Sequence, residues 1–113
     1  MLKSKIHRAT LTGAELDYEG SIAIDRDLIE LADMLPAEQV HVLNISNGSR
    51  LITSVIEAPA GSGTMLLNGP AARLGTAGDK VIVLTYGTVD DDEAAGHKPK
   101  VVLVDEQNRP ISR

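Results

Sequence analysis

Cysteine, tryptophan and phenylalanine are all absent from this chain of 113 residues, and Tyr18 and Tyr86 are its only Phe, Trp or Tyr side chains. Without cysteine there is no disulfide, no thiolate ligand and no thiol nucleophile, a pattern that suits a reducing compartment. Without large rings the core must be built from Val, Ile, Leu and Ala, and a chain this short exposes much of its surface, a shortage that self-association relieves. No apolar run approaches the roughly 18 residues of a membrane span. The opening MLKSKIHRATL lacks the apolar stretch of a secretory signal. Nor is there a basic stripe or aromatic platform for nucleic acid: 11 Lys and Arg stand against 16 Asp and Glu, a formal charge of -5. His7, His41 and His97 are scattered without metal-ligand spacing, and the consecutive acids at 90–93 read as a solvated face, so no metal site is expected. Gly61-Ser62-Gly63 lacks the lysine of a phosphate loop. The expectation is a soluble cytoplasmic protein that binds neither membrane nor nucleic acid.

What is present is a set of short strand signals around one helix. KSKIHRATLT at 3–12 and GSIAI at 20–24 read as strands, and Asp25 caps a helix over RDLIELADML. Leu28, Leu31, Ala32 and Leu35 form its apolar face, and Pro36 stops it. Val40, Val42 and Ile45 lead to Asn47-Gly48, and RLITSVIEA follows, so 39–58 reads as a hairpin. His41, between Val40 and Val42, falls on its polar side. TMLLN at 64–68, KVIVLTYGTV at 80–89 and KVVLV at 100–104 are further strands. PAARL makes a helical turn before Gly75, DDDEAAG at 90–96 is an acidic turn or short helix, and EQNRPISR is a polar tail. No repeat or linker divides the chain, which reads as a single domain over 1–113. Many short strands with one or two short helices predict a mainly β fold, a small β-barrel that leaves no open edges.

Three segments carry a resemblance: KIHRA at 5–9 with YEGSIAID at 18–25, NGSRLIT at 47–53, and NGPAA at 68–72. Their order and spacing resemble the aspartate 1-decarboxylase family through most of the chain. The resemblance implies a double-psi β-barrel assembled as a homotetramer with active sites between subunits. It also implies self-cleavage between Gly20 and Ser21 into fragments 1–20 and 21–113. The Ser21 hydroxyl attacks the Gly20 carbonyl to give an ester, and elimination and hydrolysis then leave a covalently bound pyruvoyl group derived from Ser21. Such a ketone forms a Schiff base with an amino-acid substrate and accepts the electrons left by departing CO2. The implied reaction makes β-alanine from L-aspartate, for pantothenate and coenzyme A synthesis.

The resemblance assigns roles to further residues. Arg50 is the substrate-binding arginine, whose guanidinium can grip a carboxylate through two hydrogen bonds. Lys5 and His7, two apart on a strand and so on one face, help form the pocket of a neighbouring subunit. Thr53 serves processing and substrate contact. Asn68, Gly69, Pro70 and Ala71 form the loop at the reacting centre, and Tyr18 lies beside the cleavage point. Read alone, each of these has a plainer meaning: Gly20-Ser21 and Asn68-Gly69 are ordinary turns, Arg50, Lys5 and His7 are surface groups, Thr53 is a sheet residue, and Tyr18 plugs the core.

Four residues depart from the family pattern. Ser54 stands where the family has a tyrosine that returns a proton to the product, and a serine hydroxyl is shorter and far less acidic. A water or Tyr86 is the candidate replacement. Pro70 replaces an alanine and removes an N–H. Arg73 and Asp17 each replace a common histidine. Two alternatives therefore stand beside aspartate decarboxylation: a diverged pyruvoyl decarboxylase for another small amino acid, and a non-catalytic barrel with a structural or regulatory role.

Overall fold

The computed structural model describes residues 1–111. Nine strands and two short helices follow in the order β1 (Leu2–Thr10), β2 (Gly13–Glu15), β3 (Ser21–Asp25), α1 (Arg26–Leu31), β4 (Gln39–Asn44), β5 (Arg50–Ala58), β6 (Met65–Asn68), β7 (Lys80–Tyr86), α2 (Asp91–Ala94), β8 (Lys100–Val104) and β9 (Pro110–Ile111). A 3-10 turn at Gly69–Arg73 follows β6. The last two residues of the expected polar tail lie outside the described residues, and the part within them contributes β9, which pairs with β8.

Hydrogen-bonded neighbours run β2-β6-β3-β5-β4-β7-β1-β8-β9. β1 and β2 sit far apart in that order yet are two halves of one run, 2–15, so the sheet closes on itself. Leu11 and Thr12 make the corner: Leu11 N donates to Asp79 O at 2.8 Å, and Thr12 N donates to Met65 O at 2.8 Å. The pairs β1–β8, β2–β6 and β3–β5 are parallel, and the others are antiparallel, three of them in succession from β5 through β4 and β7 to β1. The result is the mainly β fold with two short helices that the sequence predicts.

A bulge in β1 sets which of its side chains point inward. The β1–β7 register shifts between Ile6 and Ala9, and Arg8 adopts a positive φ of 64°. Ser4 and Ile6 face the core before the bulge, and Ala9 and Leu11 after it. The inward parity therefore changes, and His7 and Arg8 are both left on the outside. The core holds Ile6, Ile22, Ile24, Leu28, Val40, Val55, Met65, Leu67, Val81 and Val83; it is without aromatic rings, as the composition requires, and adds methionine to the expected Val, Ile, Leu and Ala.

Helix α1 is shorter than its pattern predicts. It ends at Leu31 because Asp33 takes a left-handed conformation, φ 55°, and Met34 N bonds back to Ile29 O at 3.0 Å. This Schellman closure, not Pro36, stops the helix. The buried face is accordingly Leu28, Ile29, Ala32 and Met34, while Leu31 and Leu35 point outward. The expected cap is present: Asp25 Oδ1 accepts from Asp27 N at 2.9 Å. The same buried carboxylate accepts from Gly61 N at 3.0 Å and Gly63 N at 2.8 Å, tying the 59–63 loop to the end of β3.

Candidate functional site

Strand β3 is buried along its whole length, and Ser21 is its first residue. In the antiparallel β3–β6 ladder Ser21 stands opposite Asn68, and both are buried. Asn68 Nδ2 donates to Ser21 Oγ at 3.2 Å, while Ser21 Oγ donates to the Glu19 carbonyl at 3.1 Å. The hydroxyl is thus held from both sides, next to the Gly20 carbonyl in the chain.

Gly69 is packed against the same segment. Its φ is +67°, and a Cβ there would stand 2.6 Å from the Tyr18 oxygen and 2.8 and 2.9 Å from the Gly20 nitrogen and Cα. Only glycine fits under the 18–20 backbone in this arrangement. Pro70 opens the 3-10 turn, where its missing N–H is one that the turn itself does not use. Its Cδ would lie 3.6 Å from a Cβ on Gly20. This backbone cradle around Ser21 suits a small group formed from residue 21 itself.

A cleft of about 500 Å³ opens beside Gly20, lined by Thr53, Ser54, Gln39, Leu51, Ile52, Pro70, Ala71 and Leu74. It forms where β5 runs on beyond the start of β3: pairing between them begins at Ile22 and Val55, so residues 51–54 have β4 on one side and the cleft on the other. No charged side chain lines it among the described residues. One wall is fixed by Leu74, whose carbonyl accepts from Asn44 Nδ2, Asn47 Nδ2 and Ser49 Oγ at 3.2, 3.0 and 2.9 Å.

Gly20, Ser21, Thr53, Ser54, Asn68, Gly69, Pro70 and Ala71 are therefore brought together in one chain. Arg50 is exposed at the start of β5, opposite Leu43, and does not line the cleft. Lys5 and His7 lie elsewhere on the sheet. One row of laddered residues runs Ile52, His41, Leu84, Lys5, Val101. Lys5 is three strand spacings from β5, about 14 Å. His7 lines a different hollow, of about 400 Å³, with Arg8, Lys80, Asp105 and Glu106.

Tyr18 does not plug the core, as its plainer reading had it. The residue is 58% exposed, because β2 ends at Glu15 and the chain passes over the outside of the barrel. Its backbone oxygen is what meets Gly69. Tyr86 sits on β7 with its ring edge-on to His41, centroids 5.1 Å apart, and does not line the cleft. Asp17 and Arg73 are exposed and outside the cleft as well. Sequence reasoning passed over Gln39 and Leu74. Gln39 is placed opposite Ser54 by the observed hairpin register, which no residue type in the sequence announces.

Comparison with known proteins shows the family. A family model described as Aspartate decarboxylase matches residues 1–111. An "Aspartate 1-decarboxylase" of Thermoanaerobacter pseudethanolicus is 56% identical over 112 residues, covering 99% of this chain and 96% of that protein. One from Dehalococcoides mccartyi is 59% identical over 109 residues, covering 96% and 88%, and one from Syntrophobacter fumaroxidans is 57% identical over 113 residues, covering 100% and 91%. Among solved structures, a computationally designed protein named msDPBB_sym2 aligns with a TM-score of 0.49 and 20% identity, over 66% of this chain and 95% of that one. With the family model matched from residue 1 to residue 111, this chain belongs to the aspartate decarboxylase family.

Proposed function

We propose that this chain cleaves itself between Gly20 and Ser21 and then decarboxylates L-aspartate to β-alanine. The observation that carries this reading is the Asn68-held Ser21 hydroxyl beside a glycine backbone, with Gly69 fitted beneath it. In processing, Ser21 Oγ bonds to the Gly20 carbonyl carbon as the Gly20–Ser21 C–N bond breaks, and the hydroxyl proton passes to the Ser21 nitrogen. The resulting ester loses the Ser21 α-proton and the Gly20 carboxylate. Water then replaces the nitrogen, which leaves as ammonia, and a pyruvoyl group heads fragment 21–113. The 1–20 fragment stays in place because β1 is paired on both edges, with β7 and with β8.

The pyruvoyl group supplies a carbonyl that captures an amine and draws electrons from the bond to the departing carboxylate. The chain's own residues then bind and orient. Asn68, Gly69, Pro70 and Ala71 hold the backbone around position 21, and Thr53 and Ser54 offer hydroxyls in the cleft. Among the described residues of one chain no cation lines the cleft, so the charges for an acidic substrate come from Arg50 and from Lys5 and His7 of a second copy. The distance of Lys5 from β5 on the same sheet supports that division, and it fits a homotetramer with interfacial sites. The exposed Ile52, Leu74 and Tyr86 give such contacts apolar surface. The cytoplasm is the proposed location; no helix among the described residues is long and apolar enough to cross a membrane.

One observation favours a second reading, a decarboxylase for a less acidic amino acid: the side chains lining the cleft are neutral. Intact-mass measurement with aspartate and borohydride, followed by assay of CO2 release over a panel of amino acids, separates the two.

A further inference from the structure

Among the described residues, three polar side chains line the cleft, Thr53, Ser54 and Gln39. Gln39 is the only one with an amide, and it is the longest. It stands directly opposite Ser54 in the β4–β5 ladder, where paired Cβ atoms lie about 5 Å apart. Its backbone is fixed. Thr85 Oγ1 donates to the Gln39 carbonyl at 3.3 Å, and Glu38 beside it is bound by Lys3 and Thr85. On the other side Val40 is fully buried. The Gln39 amide itself makes no hydrogen bond within the described residues, and neither do the Thr53 and Ser54 hydroxyls. An amide on a fixed backbone, with free donors and a free acceptor, thus stands across the ladder from a free hydroxyl, in a cleft with room for solvent.

We infer that Gln39 is a positioning residue for the proposed decarboxylation: its amide and the Ser54 hydroxyl hold one water in the cleft, and that water is the proton donor to the substrate carbon. Two to four polar partners are what an ordered water requires, and Gln39 and Ser54 supply two of them. Among the described residues no acidic side chain lines the cleft to serve instead. In the step, the substrate carbon loses CO2 and gains a proton from the water. The hydroxide left behind takes a proton from solvent through the cleft mouth, so the balance is one proton consumed per CO2 released. Gln39 acts after capture of the substrate amine and has no part in cleavage at Gly20.

The inference rests on the decarboxylase reading, and the test separates the two. Gln39→Met keeps the length and removes the amide on an exposed position, so folding is retained. In the processed protein it is expected to lower kcat for aspartate about a hundredfold, the low end for a positioned proton donor, with KM little changed. The yield of borohydride-trapped aspartate adduct and the rate of appearance of fragment 21–113 should match the parent chain. Gln39→Glu should restore turnover with a new dependence on a carboxyl group in the pH profile. Ser54→Tyr, which puts a phenol in the cleft, should make turnover insensitive to Gln39→Met. A Gln39→Met protein with unchanged kcat, or one whose adduct yield falls in step with its turnover, overturns the inference. A parent chain that releases no CO2 from aspartate overturns the decarboxylase reading instead.

Discussion

Ser21 and Asn68 face each other across the β3–β6 ladder, and the Asn68 amide donates to the Ser21 hydroxyl at 3.2 Å. Both side chains are buried, so the bond is made away from competing water. The pair holds the nucleophile next to the bond it is proposed to cut. Asn68→Ala removes the donor and leaves the hydroxyl with the Glu19 carbonyl alone. A buried hydrogen bond of this kind is worth about 1–3 kcal/mol when one partner is deleted. Self-cleavage should slow by about tenfold or more, read as the time course of fragment 21–113 on a denaturing gel.

Gly69→Ala tests the cradle. The added methyl would stand within 3 Å of the Tyr18 oxygen and the Gly20 backbone, on a residue already at positive φ. Those neighbours are backbone and cannot swing aside. The expected outcome is an uncleaved precursor with stability reduced by about 1–3 kcal/mol, seen as a lower Tm and an intact chain mass. Normal cleavage would show that residues 18–20 move freely over this loop.

Asp25 gives a pH dependence with a definite sign. Burial pushes its carboxyl up, but the N–H groups of Gly63, Asp27 and Gly61, with Arg109 nearby, outweigh this and hold it below its ordinary value. A carboxyl lowered on folding stabilises the fold fully above its unfolded value, about 3.9, and that contribution is lost as pH falls through the lower folded value. Asp25→Asn should cost about 2 kcal/mol at neutral pH and progressively less below pH 4. Denaturant melts at several pH values measure both. An equal cost at all pH values would contradict the role of the charge.

The separation of Lys5 from the cleft makes subunit exchange informative. Lys5→Ala and Arg50→Ala chains are each expected to lose most activity on aspartate. If one site takes Lys5 from one copy and Arg50 from another, co-refolded mixtures should regain activity that neither variant has alone. Mixtures that stay inactive would place both residues in a site made by one chain.

Much of the fold was legible because it follows from local signals. The apolar alternation of KVIVLTY gave β7, the Asp25 cap gave the start of α1, and Asn47-Gly48 marked the β4–β5 hairpin. Less legible were features set by tertiary closure. The bulge at Arg8 reverses the parity of β1, and no residue type announces it. The buried Asn108, which bonds Thr10 O and Gly63 O, looked like part of a polar tail. Hairpin register shows the same limit. A two-residue turn at Asn47-Gly48 would set His41 opposite Ser54, whereas the observed loop, 45–49, sets Gln39 there. Side-chain parity survives that shift of two, but the composition of the cleft does not. The motif residues Gly20, Ser21, Asn68 and Gly69 were identified by resemblance, and what the structure adds is the contact between them.

The most direct test of the central claim is the intact mass of the purified protein, before and after aspartate and borohydride. The account predicts two fragments, 1–20 and 21–113, the larger with a pyruvoyl mass at its start and shifted by reductive trapping of one aspartate. A single chain of 113 residues that never cleaves, and gains no mass with aspartate, would contradict it.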